Sequence, residues 1–119
     1  MANKFNISLK KSFDATRNSI RIDFIDKNTN DKAGQLEYQV KNKKAEISNT
    51  YMFPEYRDKG ILKKFFPNIT KDIRCNGADK IELTVLSLDA KTAWKQLGFE
   101  DINENKMSRD ISKIVPKCI

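Results

Sequence analysis

This sequence contains no histidine and only two cysteines, Cys75 and Cys118, so few side chains remain that could do chemistry. A Ser–His–Asp or Cys–His nucleophile needs an imidazole and is excluded. The cysteines have neither CxxC spacing nor histidine partners, which argues against zinc and predicts reduced thiols in a cytosolic chain. Acid–base work falls to Glu, Asp, Lys, Tyr, Cys or ordered water. One stretch combines types that could hold an anion: YMFPEYRDKGILKKFF, residues 51–66. A strand-like run enters the turn PEYRDKG, and a helical pattern starts directly after Gly60. A helix N-terminus offers unpaired backbone N–H groups and the positive end of the helix dipole. Gly60 would let a phosphate approach the backbone, and Arg57, Lys59, Lys63 and Lys64 add positive charge. On spacing alone the same stretch also reads as a plain turn.

The elements that must position this loop follow from hydrophobic periodicity. Phe5, Ile7 and Leu9 alternate with polar residues, as do Ile20, Ile22 and Phe24 within residues 19–26. Residues 34–40 make a further strand, and a tight turn at KNKK leads to residues 45–53, with Ala45, Ile47, Tyr51 and Phe53 expected on one side. The period changes at Gly60: Ile61, Phe65, Ile69 and Ile73 recur at helical spacing as far as Asn76, with Gly77 as terminator. Pro67 lies inside that helix and is expected to kink it or split it after Phe66. Residues 80–86 form a strand; Ser87 caps a helix that runs to Leu97 and is closed by Gly98; residues 99–102 and 106–111 make a closing hairpin. The order is β-β-β-β-α-β-α-β-β, an α/β arrangement with a mixed sheet. It is mostly antiparallel, with one βαβ crossover that makes the 45–53 and 80–86 strands parallel.

The 119 residues suit a single domain, 1–119. Charged residues at 33% and hydrophobic residues at 39% are spread in short runs, as in a folded soluble domain. No apolar run approaches the ~20 residues that cross a bilayer, and the start lacks a secretory h-region, so a cytoplasmic protein without a membrane partner is expected. The net charge of +7 favours an acidic partner. That partner could be nucleic acid, a membrane surface or an anionic cofactor, but the bases are scattered in pairs such as Lys10-Lys11 and Lys43-Lys44, which fits a solvated basic surface better than specific nucleic-acid binding.

PEYRDKGI resembles the acyl-CoA pyrophosphate loop of the GNAT superfamily of N-acyltransferases, usually [Q/R]-x-x-G-x-[G/A], and Met52 to Arg57 is similar to that family's end of strand four. Downstream, ADKIELTVLSLDAKTAWKQLGFE is similar to its second signature, in which a helix opened by Asn carries a Tyr and closes on Gly–Phe. The resemblance spans about residues 19–111. It implies a GNAT-like acyl-CoA N-acyltransferase fold and an acetyl-CoA-dependent N-acetyltransferase acting on an amino group, without a metal. Backbone N–H groups from Arg57 through Asp58, Lys59, Gly60 and Ile61 to Leu62 would hold the pyrophosphate, beside Lys63. Pantetheine would lie between the 45–53 and 80–86 strands, near Tyr51 and Met52, within reach of Ser87 and Trp94. Glu46, six residues before Met52, occupies the position of the glutamate base in the protein-acetylating branch.

Three residues depart from the family pattern. Leu62 replaces the last Gly or Ala of the loop, Ser87 replaces the helix-opening Asn but keeps an N-cap, and Trp94 replaces the tyrosine that protonates the departing thiolate. The indole N–H of Trp94 is no acid at neutral pH. These departures keep a second reading in view, a GNAT-fold binding or regulatory module without catalysis. The family's first two helices have no room in the ten residues KKSFDATRNS, which allow one turn. The acceptor side is therefore expected to be open, suiting a protein or peptide acceptor, or to be completed by a homodimer.

Overall fold

The computed structural model describes residues 6–113. Its strands are β1 (Ile7–Asp14), β2 (Ser19–Asp26), β3 (Asp31–Lys41), β4 (Lys44–Met52), β5 (Lys80–Thr84), β6 (Glu100–Asp101) and β7 (Lys106–Asp110); its helices are α1 (Ile61–Cys75) and α2 (Leu88–Gln96). They form one seven-stranded sheet in the order β1-β2-β3-β4-β5-β7-β6. Among the described residues only the β4–β5 pair is parallel. The element order matches the periodicity, and the mixed α/β class is as expected.

Turn chemistry explains the first four strands. Asn18, Asn30, Asn42 and Lys43 all have positive φ, and asparagine tolerates the left-handed region better than most residues. Asn42 and Lys43 carry it together, as a two-residue type I′ hairpin turn requires. Strand β1 continues as far as Asp14 and pairs with β2 along its whole length. The single helical turn for which KKSFDATRNS has room does not form. Asp14 accepts hydrogen bonds from the N–H groups of Thr16 and Arg17 and closes a tight hairpin instead. Phe5, expected in the first strand, lies outside the described residues.

Both helices pack on one face of the sheet. Strand positions Ile22, Phe24, Leu36, Tyr38, Ala45, Ile47, Ile81 and Leu83 are buried beneath them. Phe66 of α1 meets Trp94 of α2 and Phe99 at ring-centroid distances of 5.9 Å each, joining the two helices. Burying a side chain such as Phe66 stabilises the fold by about 2–3 kcal/mol. The Tyr38 hydroxyl donates to Asp72 of α1 at 2.6 Å and accepts from Asn76 at 2.8 Å. Burial, and then the Asp72 carboxylate, push this phenol's pKa up. The opposite face carries mainly polar side chains, Glu37, Gln39, Glu46, Ser48 and Glu82 among them.

Pro67 neither splits nor ends α1, which runs unbroken from Ile61 to Cys75. Pro67 faces solvent, while Phe66, Ile69 and Ile73 on either side of it are buried. Packing of that apolar stripe outweighs the one hydrogen bond proline removes. Gly77 (φ 97°) and Gly98 (φ 95°) end the helices as expected. Cys75 is disulfide-bonded, not the reduced thiol expected from the sequence; Cys118 lies outside the described residues. No described helix is long and apolar enough to cross a membrane.

Candidate functional site

Strands β4 and β5 are paired from Lys44↔Lys80 to Ile47↔Leu83, and there they part. Beyond that point β4 stays with β3, while Thr84 pairs with Lys106 and the Val85 N–H donates to the Asn105 carbonyl at 2.7 Å. A parallel pair splayed in this way must leave a gap. It is a cleft of 940 Å³, walled by residues 46–52 of β4, by residues 83–87, and by Ala90, Ala93, Trp94 and Leu97 of α2. Its lining mixes backbone edges with apolar side chains, as a small-molecule site requires.

At the mouth of this cleft stands the loop before α1. A short 3₁₀ turn, Pro54–Tyr56, follows β4. Asp58 (φ 57°) and Gly60 (φ 73°) are then both left-handed, and Gly60 passes directly into right-handed Ile61 at the start of α1, the alternation of handedness found in an anion-binding nest. Gly60 occupies the N-cap of α1, and no side chain caps the helix. The first intrahelical hydrogen bond is Lys64 N–H to the Gly60 carbonyl, 2.9 Å, so the amides of Ile61, Leu62 and Lys63 precede the ladder. A Cβ on Gly60 would have no atom within 4 Å; the space in front of the loop is open. The first turn of α1 has no acidic residue, and Lys63 and Lys64 sit there against the positive end of the dipole. That arrangement is unfavourable in isolation and becomes favourable with an anion in place.

Of the residues singled out from the sequence, Glu46, Tyr51, Met52, Arg57, Leu62, Ser87 and Trp94 line the cleft. Asp58, Lys59, Gly60, Ile61 and Lys63 form the loop and first turn at its mouth, with Ile61 buried and Lys59 and Lys63 exposed. Arg57 is already engaged: its N–H donates to the Pro54 carbonyl at 3.3 Å, and its Nε donates to the Met52 carbonyl at 2.9 Å. The free run of amides therefore starts after Arg57. Leu62 is half-buried, packing on the core while touching the cleft. The Ser87 hydroxyl accepts from the Ala90 N–H at 3.1 Å and caps α2. Trp94 is 9% exposed and stacks edge-on to Phe99 at 5.2 Å. It is a core anchor with one side on the cleft.

Glu46 is exposed at the closed end of the cleft, one residue before the last β4–β5 pair. Its parallel partner Glu82 is held by Lys44 at 3.3 Å and Lys80 at 3.4 Å. Burial raises the Glu82 pKa, but the two lysines together take it below the usual carboxylate value. Among the described residues Glu46 has no ion pair, so its carboxylate is free to meet a ligand.

One feature of β4 is not what alternation predicts. The β3–β4 register passes from Gln35↔Tyr51 to Glu37↔Ser48, so Asn49 and Thr50 together face Leu36. Asn49 has φ 43°, and the extra residue is a β-bulge. Ala45 and Ile47 therefore face the helices, whereas Tyr51 bonds through its hydroxyl to Gln35 on the opposite face, 3.2 Å away. The expected placing of all four apolar residues on one side fails here, because a bulge reverses the parity of everything after it. The role of Asn49 is not legible in the sequence beyond asparagine's tolerance of positive φ, because the bulge depends on the pairing with β3.

Neither a protein-family model nor a curated protein matches this sequence. Solved structures do. An acetyltransferase of the GNAT family from Staphylococcus aureus Mu50 superposes with a TM-score of 0.71 at 15% identity, over 81% of this chain and 70% of that one. A spermidine N-acetyltransferase from Vibrio cholerae, in complex with CoA and spermine, gives 0.69 at 18% identity over 83% and 69%. The PaiA N-acetyltransferase from Thermoplasma acidophilum, in complex with coenzyme A, gives 0.68 at 20% identity over 78% and 61%.

Proposed function

We propose that this chain, which has the GNAT acetyltransferase fold, transfers an acetyl group from acetyl-CoA to an amino group. The observation that carries the reading is the uncapped N-terminus of α1, with left-handed Asp58 and Gly60, at the mouth of the cleft where β4 and β5 part. The solved relatives with coenzyme A bound support a CoA donor here. The pyrophosphate would sit on the amides from Asp58 to Lys63, neutralised by Lys59, Lys63 and Lys64. The pantetheine arm would run along the wall from Met52 toward Ser48, which brings the thioester to Ser48 and Glu46.

In this reading Glu46 takes a proton from the attacking amine, directly or through water, and the amine nitrogen bonds to the thioester carbon. The C–S bond then breaks, and the CoA thiolate takes a proton from water, since Trp94 has none to give. Among the described residues helices lie on one face only, and β1 and β2 meet in a tight hairpin, so in this reading the acceptor side is open. We assign a protein or peptide amine as acceptor on that ground, with a homodimer as the alternative way to close the site. A cytoplasmic setting belongs to the same proposal, and the bonded state of Cys75 makes a thiol count on the purified protein its direct check.

Calorimetric titration of the protein with acetyl-CoA tests the donor assignment. Saturable binding that Gly60→Glu abolishes is expected; no saturable binding to the parent protein overturns it. A second reading, a binding module without turnover, is favoured by Trp94 standing as a core anchor without an acidic proton. Turnover of acetyl-CoA on a panel of amines and peptides, lost in Glu46→Gln, would exclude it.

A further inference from the structure

Glu46 lines two depressions at once. One is the cleft assigned to the donor. The other, of 410 Å³, lies on the helix-free face of the sheet and is lined by Gln39, Lys41, Asn42, Lys44, Glu46 and Lys80. Glu46 is the one residue that the two share. A third, polar depression between Arg17, Arg21 and Glu37 has no residue in common with the cleft. With the donor in the cleft, an acceptor whose amine reaches Glu46 has the second depression in which to lay the rest of its chain.

The charge of that depression is set by the strand register. Lys41 of β3 stands opposite Lys44 of β4, and Lys44 stands beside Lys80 of β5, so three lysines form one row across three strands. Like charges directly opposite each other on a sheet destabilise it. Glu82, one row further along, offsets part of that cost by pairing with Lys44 at 3.3 Å and Lys80 at 3.4 Å. Lys41 is exposed and among the described residues has no ion pair. Lys43, exposed in the adjoining turn, adds positive charge at the same end. Asp110, opposite Lys80 on β7, is already engaged: it accepts from the Ser112 N–H at 2.9 Å and hydroxyl at 2.7 Å. The lysine row is repulsive in the free protein and becomes favourable with an anion in place.

We infer that the acceptor is an acidic peptide, whose carboxylates lie on the row Lys41, Lys44 and Lys80 while its amine meets Glu46. This rests on the acyl-CoA reading above and narrows the acceptor class within it. Lys44 and Glu46 are two residues apart on one face of β4, about 7 Å. An extended peptide covers that distance in about two residues, which places the preferred Asp or Glu close in sequence to the residue that carries the amine. The same row repels a polyamine, whose further ammonium groups would meet lysines.

The test uses the full chain loaded with CoA and peptides labelled at the C-terminus. Each peptide offers a free N-terminus and one lysine, with Glu, Gln or Lys at the positions beside each amine. Fluorescence anisotropy gives their affinities at low and high salt; with acetyl-CoA in place of CoA, mass spectrometry gives the rate and the amine acetylated. The parent is compared with Lys41→Glu and with Lys71→Glu. Lys71, exposed on α1, carries the same change in net charge away from the depression. The parent and Lys71→Glu should bind the Glu peptide about tenfold tighter than the Gln peptide, and the Lys peptide more weakly still, with the preference shrinking as salt rises. Lys41→Glu, a surface change that breaks no described ion pair, should cut the preference to about twofold or less, with acetyl-CoA affinity by calorimetry unchanged. Equal affinity for the three peptides, a preference that survives Lys41→Glu or is lost equally in Lys71→Glu, or no peptide binding to a chain that binds acetyl-CoA overturns the inference and leaves the donor assignment standing. A Glu peptide that binds with this preference and is not acetylated overturns its role as acceptor. A parent without acetyl-CoA binding overturns the donor assignment, and the inference with it.

Discussion

Ile47 and Leu83 are the last residues at which β4 and β5 face each other, and the cleft opens immediately beyond them. Everything assigned to the donor lies on one side of that pair, and Glu46 lies just on the other. Ala93, exposed on α2, lines the same cleft. Ala93→Trp should therefore fill it without disturbing the core. Acetyl-CoA affinity should fall about tenfold or more, close to 1.4 kcal/mol, with Tm changed by no more than about 2 °C. Calorimetry and thermal melts report both.

Gly60 has φ 73° and open space before it. Gly60→Ala should cost about 1–2 kcal/mol from backbone strain alone, which thermal or urea melts measure. Gly60→Glu adds a negative charge at the same backbone cost. The difference in CoA affinity between the two variants then isolates the electrostatics of the loop, and equal affinities would remove the anion-site reading.

Trp94 packs on Phe66 and Phe99. Trp94→Ala should destabilise by about 3–5 kcal/mol, as large aromatic deletions from a core do. Trp94→Tyr keeps most of the ring contact and brings a phenol to the cleft wall. If thiolate protonation limits turnover, that variant should release CoA faster than the parent, as thiol detection would show.

Glu37 and Glu82 both have folded-state pKa values below their usual ones. For Glu37 the Asn49 hydrogen bond is the main cause; for Glu82, Lys44 and Lys80 outweigh the opposing effect of burial. A carboxylate with a depressed folded pKa adds stability that is present above its unfolded pKa, about 4.3 for Glu, and lost as pH falls through the folded value. Urea melts should therefore show stability declining as pH drops below about 4.5. Glu82→Gln should flatten that decline, losing more stability at pH 7 than at about pH 3.

The Tyr38 hydroxyl links β3 to α1 through Asp72, which Lys11 of β1 also meets at 2.6 Å. Tyr38→Phe should cost about 1–2 kcal/mol for the lost hydrogen bond in a buried site. Acetyl-CoA affinity should not change, as titration of the same variant would confirm.

Much of this was legible in the sequence because the signals are local. The alternation in residues 19–26, the asparagines at the hairpin turns, Ser87 as a cap, and Gly77 and Gly98 as terminators all act through backbone geometry within a few residues. The order of elements and the uncapped loop at Gly60 followed from them. Tertiary structure decided the rest. Proline at 67 reads locally as a break, yet an apolar stripe packed on the sheet carries the helix through it. The parity of β4 depends on a bulge at Asn49, which bonds to Glu37 twelve residues away in sequence, and on a register no single strand encodes. The cleft exists only because β5 leaves β4 at Leu83 to follow β7. Caps and turns are written in neighbouring residues; registers, bulges and clefts are set by which distant strands compete for the same hydrogen bonds.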